Sequence, residues 1–242
     1  MKNLNEPQAL HIPIVSDILK GPIPRGSVLV LFYEPSAQRL SFILTMVSEL
    51  LNRGRVVGIT TTSTPPAQIR QRLDAVMSNL KELELTKKLT LIDWYTWTTG
   101  KKSTESRSVD SLGLAQFNIQ DSGYQKEDSP LYDFVAGENL SAFLKYNDER
   151  TFMQWLDKTF GRIREMKGIR LYCFLKHFHS DAFYANLEAM ADGVIELDVR
   201  ESQRRLENVI RLKSMNAVQH PTDWRTLRIT KTGLLRIVST RR

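Results

Sequence analysis

The chain has 242 residues, 41% hydrophobic and 25% charged, with a net charge of +7; this suits one globular domain with a sizeable core, and two only if both are small. A single cysteine, Cys173, excludes an intramolecular disulfide and a cysteine zinc site, and points to a reducing cytosol. No apolar run approaches the roughly 20 residues needed to span a bilayer, and the N-terminal MKNLNEPQALHIPIV lacks the basic region and continuous apolar region of a secretory signal.

Apolar strand-like runs alternate with helical patterns along the chain, which predicts an α/β fold with a largely parallel sheet. Ile14–Leu19 reads as a short helix after Pro13, and Gly21-Pro22-Ile23-Pro24-Arg25-Gly26 as a rigid turn into a first strand, Val28–Phe32. A short loop leads to an amphipathic helix at about Leu40–Asn52 and then to a second strand, Val56–Ile59. Thr60–Thr64 is a polar loop, and Pro65-Pro66 opens a helix expected to run to about Leu80. Lys88–Trp94 is a third strand. Residues from about 98 to 129 are rich in Ser, Lys, Gly and Asp and poor in aliphatics, so a long flexible insertion loop is expected there. A strand fits near Leu131–Ala136. Phe152–Met166 is an amphipathic helix, with Phe152, Trp155, Leu156, Phe160 and Ile163 on one stripe and Gly168 ending it. Ile169–Leu175 is a strand, Ala182–Met190 a short helix and Gly193–Val199 a strand. Arg204–Met215 and Trp224–Val238 alternate apolar and polar residues, so they are expected as an antiparallel pair at the end of the sheet.

Charge is unevenly placed. From Arg200 to Arg242 there are 11 basic and 3 acidic residues, whereas the remainder holds 23 and 24. This basic stretch suits contact with nucleic acid, an acidic protein surface or anionic lipid. It equally suits solvated outer faces of strands.

The stretch from Gly26 to Gly54 has the strand-loop-helix frame of a phosphate-binding loop. Such a loop reads GxxxxGK[ST]: its glycines let backbone N–H groups wrap the phosphates, its Lys reaches the terminal phosphates, and its hydroxyl holds Mg²⁺. Here the eight positions are Tyr33, Glu34, Pro35, Ser36, Ala37, Gln38, Arg39 and Leu40. No glycine remains, Arg39 replaces the Lys, and Leu40 replaces the hydroxyl. Tyr33, Gln38 and Leu40 carry bulk where glycine would let phosphate approach. Arg39 is the one retained charge, and Glu34, five residues upstream, is its expected partner.

Several co-linear segments carry a resemblance: GPIPRGSVLVL, TTTSTPPAQIRQRL, LTLIDWYTW, ENLSAFLKYND, and the long C-terminal run beginning ADGVIELDVRESQRRLENVIRLKSMN. Together they resemble the KaiC-like ATPases of the RecA superfamily, of the type common in archaea, over nearly the whole chain except the insertion loop. The resemblance implies a single RecA-like domain over residues 1–242, with a mainly parallel twisted sheet flanked by helices and antiparallel C-terminal strands. It also places the family's functional positions. The two acidic residues that activate the attacking water fall on Thr62 and Ser63, neither of which is a general base near neutral pH. The metal-associated Asp falls on Glu138, with Asn139 beside it. The Lys and Arg that an adjacent subunit inserts toward ATP fall on Ser214 and Asn216, which cannot stabilise a transferring phosphoryl group.

Two other clusters draw attention. His177 and His179, followed by Asp181, form an H-x-H pair at a strand end; a metal site is geometrically possible, and so is an ordinary surface loop. Trp94, Tyr95 and Trp97 beside Lys101 and Lys102 suggest base stacking next to phosphate contacts, against a core role for the aromatics. No nucleophile elbow is present, and Cys173 lies inside an apolar strand, so a hydrolase has no support.

The expectation is a non-catalytic KaiC-like paralogue acting as a binding, regulatory or assembly protein in the cytoplasm, through a protein partner or self-association, with no cofactor and no metal. One alternative is a weak or atypical ATPase that binds ATP and Mg²⁺ at a degenerate site of Arg39, Ser41 and Glu138. Ser41 enters because it lies one position past the missing hydroxyl. The other is a nucleic-acid-binding recombinase paralogue using the basic C-terminal region and residues 98–129.

Overall fold

The computed structural model describes residues 8–115, 131–202, 205–216 and 218–238. Near the amino terminus β1 (Ala9–Leu10) and β2 (Ile23–Pro24) pair antiparallel around the short helix Val15–Leu19. Among the described residues the other strands form one ten-stranded sheet. In chain order they are β3 (Val28–Tyr33), β4 (Val57–Thr61), β5 (Leu89–Asp93), β6 (Arg107–Ser108), β7 (Phe134–Gly137), β8 (Ile169–Leu175), β9 (Gly193–Ser202), β10 (Arg205–Met215), β11 (Arg225–Ile229) and β12 (Leu235–Ile237).

Their spatial order is β12-β11-β10-β9-β3-β8-β7-β4-β5-β6. From β9 to β6 every pairing is parallel, and from β9 to β12 every pairing is antiparallel. This is the mixed α/β architecture expected from the alternation of apolar runs. Helices cover both faces, as a parallel sheet requires. Leu29 and Leu31 of β3 pack on one face with Phe42, Met46 and Leu50 of helix Arg39–Asn52. Val28, Val30 and Phe32 point to the other face, with Phe152, Leu156 and Phe160 of helix Glu149–Glu165 and Leu187 of helix Asp181–Met190. The period of two along β3 thus divides the core into two layers.

Three expectations change. The helix begun by Pro66 ends at Asp74, and a second, Leu80–Leu85, follows. Met77 and Leu80 are both buried, and Ser78 and Asn79 favour turns over helix interiors, so a break serves both. The expected strand Trp224–Val238 is a hairpin of β11 and β12. It reverses at Thr230–Gly233, where Gly233 takes φ +80° and Gly233 N–H donates to Thr230 O. The described part of residues 98–129 is built into the fold. Ser103 donates to Asp93 (2.6 Å), Glu105 takes both terminal nitrogens of Arg70 (2.7 and 2.6 Å), β6 adds an edge strand, and Val109, Leu112 and Leu114 are buried. Residues 116–129 of the expected loop lie outside the described residues. No helix among the described residues is long and apolar enough to cross a membrane.

Candidate functional site

In an open parallel sheet, ligands sit outside the carboxyl ends of the strands. Here that position gathers Tyr33 at the end of β3, Arg39 at the first turn of the following helix, Thr62–Thr64 after β4, and Glu138 and Asn139 after β7.

Glu138 organises the cluster. Its side chain is fully buried. Oε2 accepts the backbone N–H groups of Thr62, Ser63 and Thr64, each at 3.1 Å. Oε1 accepts the hydroxyls of Ser63 (3.1 Å) and Thr64 and the Nη2 of Arg39 (2.6 Å). Three successive N–H groups converging on one oxygen make an anion-binding concavity, and the occupant is a carboxylate of the same chain. Arg39 also donates from Nη1 to Tyr33 Oη (2.5 Å), and its guanidinium lies 4.7 Å from the Tyr33 ring centroid. Burial pushes the Tyr33 phenol up to about 12 against the lowering pull of Arg39. Burial pulls Arg39 down, but the Glu138 charge and Tyr33 outweigh it and hold the guanidinium above its ordinary value. Asn139 lies alongside, with its carbonyl accepting from Thr62 Oγ1 (2.7 Å).

The loop that carries Arg39 uses its own donors. Glu34 N–H bonds to Leu197 O, Ala37 N–H to Glu34 O, Arg39 N–H to Ala37 O, and Gln38 N–H to Asn208 Oδ1. None of residues 33–40 takes a positive φ, so the alternation that forms a phosphate nest is not made there.

The expected pairing of Arg39 with Glu34 is overturned. Arg39 turns inward to Glu138, and Glu34 accepts from the exposed His177 (3.2 Å). Of the three residues in the candidate nucleotide set, Arg39 and Glu138 meet, whereas buried Ser41 accepts from Arg72 Nη2 (2.9 Å). Ser214 pairs with Val194 near the start of β9 and Asn216 N–H donates to Asp192 O, so both lie toward the amino ends of the parallel strands, whereas Glu138 lies beyond their carboxyl ends.

The two histidines diverge. His177 points to solvent with φ +59°. The His179 side chain is buried, stacks on Phe183 at 4.1 Å, and shares a 2.7 Å hydrogen bond with Ser141 Oγ. Burial, partly offset by Glu149, lowers its pKa to about 4. Ser141 also accepts from Leu175 N–H, so it ties the end of β8 to the turn after β7. Sequence reading missed this tie; its only signal was a serine and a histidine each just past a strand. Among the described residues no group of three His, Cys, Asp or Glu is arranged to hold a metal.

Trp94 is buried edge-on to Phe143, while Trp97 packs on Tyr146 nearer the surface. In the basic C-terminal region, the guanidiniums of Arg200 and Arg211 lie over the Trp224 ring, 3.9 and 4.6 Å from its centroid. Arg211 also pairs with Glu196, and Lys213 with Glu188. Cys173 is fully buried, and burial pushes its thiol up to about 12.

Two solved structures share this fold over nearly the whole chain. A KaiC-like protein from the hyperthermophilic archaeon Pyrococcus horikoshii OT3 gives a TM-score of 0.70 at 15% identity, covering 94% of this chain and 96% of the other. The flagellar accessory protein FlaH from Methanocaldococcus jannaschii gives 0.73 at 14% identity, covering 96% and 98%. No protein-family model matches the chain, and no curated protein matches it by sequence. The likeness shows the fold, a RecA-like sheet with a parallel core and antiparallel C-terminal strands.

Proposed function

We propose that this chain is a non-catalytic RecA-fold protein of the KaiC-like kind, which keeps the scaffold for binding or assembly and does not hydrolyse ATP. The observation that carries this reading is the occupied concavity after β4. Glu138 receives six hydrogen bonds, three of them from successive backbone N–H groups, and neutralises Arg39. A carboxylate so engaged offers no free lone pair to Mg²⁺, and the arginine it holds is not available to a triphosphate. The loop at 33–40 spends four of its N–H groups within the protein. Mg-ATP does not fit this donor set. Thr62 and Ser63 supply no base for water attack.

With the chemistry absent, the sheet and its helices serve as a platform for another protein or a second copy. One structural neighbour is itself named a flagellar accessory protein, which agrees with such a use of the fold. The buried thiol of Cys173 suits a cytosolic setting.

Calorimetric titration with Mg-ATP tests the reading. The expected result is no saturable heat up to about 1 mM nucleotide, a ceiling of roughly 4 kcal/mol of binding free energy. Micromolar binding accompanied by Mg²⁺-dependent phosphate release would overturn it.

A further inference from the structure

β5 is flanked by β4 along its whole length, but on its other side β6 pairs only with Ile92 and Asp93. Leu89–Leu91 therefore have no second neighbouring strand among the described residues. In a parallel ladder, alternate residues turn their backbone groups to opposite sides. Lys88 O accepts from Val57 N–H, and Trp94 N–H donates to Thr61 O, so the even-numbered residues face β4. The outward groups left open on this half-edge are the N–H and C=O of Leu89 and the N–H of Leu91, because pairing of Ile92 with Arg107 engages the Leu91 carbonyl.

A groove of about 550 Å³ lies along the same stretch, lined by Leu89–Leu91, the helix Leu80–Leu85 and Glu105–Arg107. Its two acids share one guanidinium, and Lys81, Lys87 and Arg107 outnumber the one negative charge left over. Glu84 and Glu105 both bind Arg70, at 2.8 Å and at 2.7 and 2.6 Å. Lys81 and Lys87 are exposed and have no ion pair among the described residues, which leaves the rim positive. Leu85 stands beside them, 84% exposed.

We propose that this half-edge is a docking site for an extended acidic segment of a partner protein, added to the sheet in line with β6. Its backbone pairs with both groups of Leu89 and with the N–H of Leu91, an apolar side chain covers Leu85, and carboxylates meet Lys81 and Lys87. Strand addition draws affinity from main-chain hydrogen bonds and specificity from alternate side chains. The site is independent of the Glu138 cluster and stands whether or not nucleotide binds.

A fluorescein-labelled hexapeptide alternating aspartate and valine is the probe, read by anisotropy and by amide shifts of the full chain. Saturable binding is expected, with the largest shifts at Leu89–Leu91. It should weaken steadily as ionic strength rises from about 0.01 to 1 M and the screening length falls from roughly 30 to 3 Å. The double variant Lys81→Glu/Lys87→Glu should lose about tenfold in affinity, and the same peptide N-methylated at every residue, which leaves neither edge a donor, should not bind. The proposal is overturned if the peptide does not bind, which would leave the lysines as guards against edge pairing. It is equally overturned if the N-methylated or a lysine-valine peptide binds as well, or if the shifts lie elsewhere. Dimerisation that protects the Leu89 and Leu91 amides would assign the edge to a second copy, and would likewise overturn it.

Discussion

Replacing Glu138 by glutamine tests the idea that this carboxylate fastens the carboxyl ends of β3, β4 and β7 together. Glutamine keeps the shape but can present only one carbonyl oxygen. If that oxygen faces Thr62–Thr64, the NH₂ group faces Arg39 Nη2, donor against donor, where the salt bridge now stands at 2.6 Å. If the amide flips, the three N–H groups at 3.1 Å lose their acceptor. Removing one partner of a buried pair costs about 3–5 kcal/mol. The hydroxyls of Ser63 and Thr64 can rotate to accept from the amide, so about 3 kcal/mol is the expected loss. For a domain of this size that lowers Tm by roughly 6–12 °C. Chemical denaturation supplies the free energy. Arg39→Met should cost less, because the carboxylate keeps five other donors, and the double variant should be less destabilised than the sum of the two. A loss below about 0.5 kcal/mol for Glu138→Gln, the level of an ordinary surface change, would refute the reasoning.

The buried His179 makes stability depend on pH. Its folded-state pKa of about 4 lies below the ordinary 6.5, so the unfolded chain takes up the proton first; stability is full above about 6.5 and falls as pH drops toward 4. His179→Gln should flatten that slope in urea midpoints measured across the same window. Gly26→Ala should cost more than about 1 kcal/mol in the same assay, because Gly26 has φ +84° and an added Cβ would lie 2.9 Å from Arg164 O. If it is neutral, the β2–β3 turn is looser than its contacts indicate. Affinity for single-stranded DNA should show a nearly flat log–log dependence on salt, since Arg200, Arg211 and Lys213 are held by Trp224, Glu196 and Glu188. A slope equivalent to several phosphate contacts would restore the basic C-terminal region as a nucleic-acid surface.

Legibility of the fold follows the length of each signal. Ile169–Leu175 is found at the bounds its apolar run predicts, because Gly168 and Lys176 close it on both sides. Helix Glu149–Glu165 announces itself by a 3.6-residue stripe, and Asp148 caps it by accepting from Thr151 N–H. Two-residue strands such as β6 have no period to read. Val109, Leu112 and Leu114 are apolar residues diluted among serines and glycines, so a window average makes that stretch polar although those side chains are in the core. The hairpin of β11 and β12 was within reach: Thr230-Lys231-Thr232-Gly233 is a turn composition set inside an otherwise alternating run.

The site was legible in its members and not in its bonds. The sequence singles out both Arg39 and Glu138, yet it pairs Arg39 with Glu34, because a loop offers its nearest acid first. The sheet decides otherwise. The order β3-β8-β7-β4 sets Glu138, 99 residues away, between the ends of β3 and β4, and no local pattern encodes that order. Glu34 is turned out by the bond from its own N–H to Leu197 O and falls to His177. Thr62–Thr64 then explain why the inward pairing wins. Arg39 alone at Glu34 would be a half-exposed ion pair contributing at most about 1 kcal/mol, whereas at Glu138 it completes a carboxylate already held by three N–H groups and two hydroxyls. Moving Glu138 aside would orphan those donors together. A phosphate oxygen would therefore have to replace the whole set in one step, and a single arginine with no lysine or metal hydroxyl beside it in the loop at 33–40 is a poor means of doing so.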